Sequence, residues 1–69
     1  MKGKESLDCA DTLNNIGLVY KDQGKFNLAL EYYRRALIIF EKYKGKESLN
    51  YAVTLSNIGL VYNDQDKLN

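Results

Sequence analysis

The sequence predicts an all-α protein, a stack of three helices forming about one and a half helix-turn-helix units. Three observations lead there. The stretch Thr12-Leu13-Asn14-Asn15-Ile16-Gly17-Leu18-Val19-Tyr20 returns as Thr54-Leu55-Ser56-Asn57-Ile58-Gly59-Leu60-Val61-Tyr62, a period of 42 residues, and a fixed period of about 20 to 50 residues marks a stacked repeat. Within each copy the apolar residues fall at helical spacing. Between the copies and between their helices lie short turns, most of them carrying a glycine. The longer comparison of Lys2–Asn27 with Lys44–Asn69 finds seven differences, Asp8/Asn50, Cys9/Tyr51, Asp11/Val53, Asn14/Ser56, Lys21/Asn63, Gly24/Asp66 and Phe26/Leu68. Most of them leave the apolar spacing intact, so the duplicated element is a packing unit. The chain reads as a single domain over residues 1–69, with a full repeat at 2–43 and a partial one at 44–69.

The first helix is expected over Leu7 to Asp22. Ser6 suits the N-cap, and Asp8 places a negative charge near the positive end of the helix dipole. Leu13, Ile16, Gly17 and Tyr20 stand at i, i+3, i+4 and i+7, which gathers them on one face. A glycine inside a helix costs roughly 1 kcal/mol relative to alanine, so Gly17 implies the close approach of a neighbour. Gln23-Gly24-Lys25 ends this helix, Gly24 being suited to the left-handed conformation common after a helix C-terminus.

A turn this short sends the second helix back antiparallel, from Phe26 or Asn27 to Tyr43. Its apolar face is Phe26, Ala29, Leu30, Tyr33, Ala36, Leu37 and Phe40. Ala29 and Ala36, two turns apart, let the first helix come near. Lys44 to Glu47 restates the opening loop, and the third helix is expected from Ser48 to Asp64. Gln65 to Asn69 then repeats the turn that followed the first helix.

The bulk composition narrows the function. A chain of 69 residues buries only about 60% of its unfolded surface, so its core is small. With one cysteine, Cys9, and no histidine, neither an internal disulfide nor an ordinary Cys/His zinc site can form; the pattern suits a reducing, cytoplasmic setting. A net charge of +1 supplies no footprint for nucleic acid. The longest apolar run, Ala36 to Phe40, is far short of the roughly 20 residues of a membrane span. Catalysis has no foundation either. Asp22 with Asp64 and Glu5 with Glu47 are repeat equivalents standing one repeat apart, and Cys9 has no histidine to activate it. No cofactor is implied.

Taken together, these residues resemble the tetratricopeptide repeat (TPR) family, a helical repeat that stacks into an α-solenoid, with a pattern of W-x2-L-G-x2-Y, A-x3-F, a later alanine and a closing proline. Leu13 takes the tryptophan position, Ile16-Gly17 the leucine-glycine pair and Tyr20 the tyrosine. Gly24 is the turn glycine, Ala29 and Tyr33 the A-x3-F pair, and Ala36 the later alanine. In the partial copy Leu55, Ile58, Gly59 and Tyr62 match, while Asp66 replaces the turn glycine. The expected proline falls at Glu41, and the period of 42 is similar to the longer repeats of kinesin light chains.

The resemblance implies a non-enzymatic protein-protein interaction or scaffold module whose partners are proteins or peptides. Its peptide-binding face would be the concave one, with Asp11, Asn14, Asn15 and Leu18 from the first copy and Val53, Ser56, Asn57 and Leu60 from the second. Asparagines there offer both a donor and an acceptor to an extended backbone. A different expectation follows from the third helix, whose Leu55, Ile58, Gly59 and Tyr62 have no following helix in this sequence to cover them. They form a candidate self-association face, in an edge-to-edge dimer or in a helix-swapped one that fuses the second and third helices across Lys44–Glu47.

Overall fold

The computed structural model describes residues 6–68, and within them the chain forms three helices, α1 (Leu7–Asp22), α2 (Phe26–Tyr43) and α3 (Leu49–Leu68). The polar opening at Lys2–Glu5 and the final Asn69 lie outside the described residues.

Each boundary has a local cause. At the start of α1 the backbone N–H of Cys9 donates to Ser6 Oγ at 3.2 Å, and Ser48 Oγ accepts from the Tyr51 N–H in the same way at the start of α3. These caps satisfy backbone donors that the first turn leaves free. Gly24 ends α1 at φ +79. Its N–H donates to the Lys21 carbonyl at 3.0 Å and the Lys25 N–H to the Tyr20 carbonyl at 2.8 Å, the paired bonds of a Schellman closure. Gly45, at φ +91, ends α2 with its N–H donating to the Phe40 carbonyl at 3.0 Å. The chain therefore bends between α2 and α3.

The end of α3 departs from expectation. The helix does not stop at Asp64 but continues through Gln65, Asp66 and Lys67 to Leu68. Asp66 stands where Gly24 stood, and an aspartate adopts the left-handed turn at greater cost than glycine does. With no glycine to break it, the helix runs on.

Packing is organised around α2, which lies between α1 on one side and α3 on the other; α1 and α3 touch over only a small area. One buried cluster joins Ala10 and Leu13 of α1 to Ala36, Ile39 and Phe40 of α2, with Cys9 and Tyr32 against its edge. The other joins Ala29, Leu30 and Tyr33 of α2 to Val61 of α3, with Tyr20, Phe26 and Ile58 alongside. Fully burying a side chain the size of Phe40 contributes about 1.5 to 3 kcal/mol. The expected face of α2 is thus largely the buried one, but Leu37 and Phe26 are half-buried and Ile39 is buried. Ile39 joins because a helix covered on two sides needs a wider apolar surface than one seam supplies. In α1, Ile16 is half-buried and Ala10 takes its place in the core.

Candidate docking faces

The two copies place identical residues in opposite surroundings. On α1, Ala10 is 0% exposed, Leu13 is 6% exposed and Gly17 is buried, all beneath α2. Tyr20 is half-buried and its ring stacks on Tyr32, with centroids 5.6 Å apart. Their counterparts on α3 are open. Ala52 and Gly59 are exposed, Leu55 is 46% exposed and Tyr62 is 48% exposed.

The opposite flank shows the reverse. Thr54 and Val61 of α3 are buried against the rest of the fold, whereas Thr12 is exposed and Val19 is 54% exposed. Each repeat's first helix therefore carries two packing surfaces, of which α1 uses one and α3 the other. Only the first surface was legible in the motif. The second could have been found from Thr54 and Val61 standing two turns apart in both copies.

Polar contacts hold α3 in place. Asn14 Nδ2 donates to Thr54 Oγ1 at 3.1 Å, and the Thr54 hydroxyl donates to the Asn50 carbonyl at 2.9 Å. Arg34 Nη2 donates to Tyr62 Oη at 2.9 Å. Lys21 Nζ lies 3.3 Å from Asp64 Oδ2, an ion pair between α1 and α3.

The residues expected on the concave face are distributed unevenly. Asp11, Asn15 and Leu18 on α1 are exposed, as are Val53, Ser56 and Leu60 on α3; Asn57 is half-buried. Asn14 is half-buried and engaged with Thr54 across the contact between repeats. Of the residues expected on the outward α3 face, Leu55, Gly59 and Tyr62 are exposed, while Ile58 is half-buried against Tyr33 and its neighbours. Among the described residues no group of three or more His, Cys, Asp or Glu is placed to hold a metal, and no helix is long and apolar enough to cross a membrane.

A helical hairpin whose first helix recurs, with one packing surface buried and one open at each copy, defines a protein of the stacked helical-repeat class. The family model described as tetratricopeptide repeat matches residues 8–69, and the chain belongs to that family. Comparison with curated proteins and with solved structures returned no match. Repeats of this family serve generally as protein-protein interaction scaffolds.

Proposed function

We propose that the chain is a non-enzymatic interaction module that works through the outward face of α3, and that in isolation it self-associates there. The observation that carries this is the exposure of Ala52, Leu55, Gly59 and Tyr62, a row whose α1 counterparts are covered. Apolar surface that one copy buries and the other leaves in water favours association. An edge-to-edge dimer keeps Gly45 in its left-handed bend, whereas the helix-swapped form must straighten it. The edge-to-edge form is therefore the one proposed. The half-buried lone Cys9 is compatible with a reducing, cytoplasmic setting.

A second reading, in which the concave face clamps an extended peptide, draws support from the exposure of Asn15 on α1 together with Val53, Ser56 and Leu60 on α3. Light scattering coupled to size exclusion over a concentration series separates the two. The first reading expects a mass rising above the monomer's 7.9 kDa with concentration, and a fall back to monomer on Gly59→Gln. A monomer that persists at every concentration counts against it and leaves the groove.

A further inference from the structure

We infer that the face of α1 and α3 turned away from α2 takes an extended peptide in which apolar side chains flank a single lysine or arginine, the cation seated at Asp11. The inference rests on the reading of that face as a peptide groove and adds the chemistry of what lies in it.

The floor of the face is the seam where α1 meets α3, marked by the Asn14–Thr54 hydrogen bond at 3.1 Å and the Lys21–Asp64 ion pair at 3.3 Å. Successive contacts advance along both helices together, so α1 and α3 run parallel. Behind the seam lies α2, against Leu13 and Gly17 of α1 and against Ile58 and Tyr62 of α3. Helical spacing then turns Asp11, Leu18 and Asp22 of α1, and Val53, Leu60 and Asp64 of α3, toward the open side. Apolar surface holds the middle. Leu18, Val53 and Leu60 are all exposed, and three such residues on adjoining helices make a patch, where one alone would be ordinary surface.

The charges around this patch are unevenly answered. Asp22 and Asp64 share the half-buried Lys21, at 3.7 and 3.3 Å, and the exposed Lys67 stands at the same end. Asp11, three turns back along α1, is exposed and has no ion-pair partner among the described residues. A free carboxylate at the edge of an apolar patch attracts a cation and repels an acidic chain. Of the matched pairs Asp11/Val53, Leu18/Leu60 and Asp22/Asp64, only the first differs between the copies. The face therefore has a polarity, with a place for a cation over α1 and for an apolar side chain over α3. Asn15, one turn on from Asp11 and exposed, offers a donor and an acceptor to a peptide backbone. An extended segment can use them, whereas a helix has already paired its own backbone groups.

The test follows the fluorescence anisotropy of labelled seven-residue synthetic peptides titrated with the full chain. Each has leucine and valine beside a central lysine, glutamine or glutamate, and serines at its ends. The lysine peptide should bind about tenfold more tightly than the glutamate one, with glutamine between, the scale of exchanging an attractive for a repulsive contact at a partly exposed site. Asp11→Lys should reverse that order. Leu18→Ser and Leu60→Ser should each weaken all three peptides. The three substituted positions are exposed, so the variants stay folded, which circular dichroism verifies. Binding without preference, or a preference for lysine that survives Asp11→Lys, overturns the inference and spares the groove. Binding unmoved by both leucine variants, or no binding of any peptide, removes the groove reading as well.

Discussion

Tyr33 of α2 lies against Gly17 of α1 with no room for a side chain between them, a Cβ at residue 17 falling 2.8 Å from the ring. Gly59, the same residue one repeat later, has nothing within 4 Å of that position among the described residues. The two glycines should therefore respond to substitution with opposite signs. Gly17→Leu overpacks a closed contact and should cost on the order of 1 to 3 kcal/mol, as should Ala29→Leu in the buried cluster that joins α2 to Val61 of α3. Gly59→Ala should raise stability by about 1 kcal/mol through helix propensity alone. Chemical denaturation of the three variants checks the signs, and a gain at residue 17 would mean that Tyr33 does not sit where it is described.

Among the described residues the Tyr33 hydroxyl is buried without a hydrogen-bond partner. An unsatisfied buried hydroxyl carries a desolvation cost, so Tyr33→Phe should leave stability unchanged or raise it by about 1 kcal/mol. A loss of that size would reveal a partner for the oxygen.

The same burial, aided by the negative charge of Asp22, holds the Tyr33 phenol above its ordinary pKa. Because the folded state resists ionisation, this group's contribution is fully present below the unfolded value of about pH 10 and is lost as pH rises beyond it. Thermal unfolding across the alkaline range should show a steeper decline in the parent chain than in Tyr33→Phe. Parallel declines would assign the alkaline loss to other groups.

Asparagines in the neighbouring positions 14 and 15 should part company. Asn14 donates to the buried Thr54 hydroxyl across the repeat contact, and Asn14→Ala should cost about 1 kcal/mol. Asn15→Ala, on an exposed position, and Asn57→Ala, on the helix that repeats it, should each stay within about 0.5 kcal/mol. Urea midpoints decide, and a large loss at Asn15 or Asn57 would make that residue structural and take it out of any peptide-binding face.

Much of this architecture was legible in the sequence because repetition gives two looks at one surface. The row Leu13, Gly17, Tyr20 marks a seam that Tyr33 and Ala36 fill, whereas Ala29, expected to admit the first helix, lies in the cluster with Val61 of α3. The end of α3 differs from the sequence expectation for a physical reason: the repeat predicts a turn over Gln65 to Asn69, while the residue that makes that turn in the first copy, Gly24, is Asp66 in the second. Sequence position alone groups Asn14 with the groove, because it says which side of a helix a residue occupies but not that Thr54, 40 positions away, reaches it. The buried flank of Thr54 and Val61 was missed because two spaced residues make too weak a pattern beside the stronger apolar row.

The most direct measurement follows the backbone amides of Gly17 and Gly59 by nuclear magnetic resonance while the concentration of the folded chain is raised. These two residues share a sequence context and differ in what covers them, so each serves as the other's control. The Gly59 resonance should move as copies associate through the outward face of α3, with Gly17 staying in place under Tyr33. Movement of Gly17, or a Gly59 signal that stays fixed up to the highest concentration, contradicts the reading of the outward face of α3 as the interaction face.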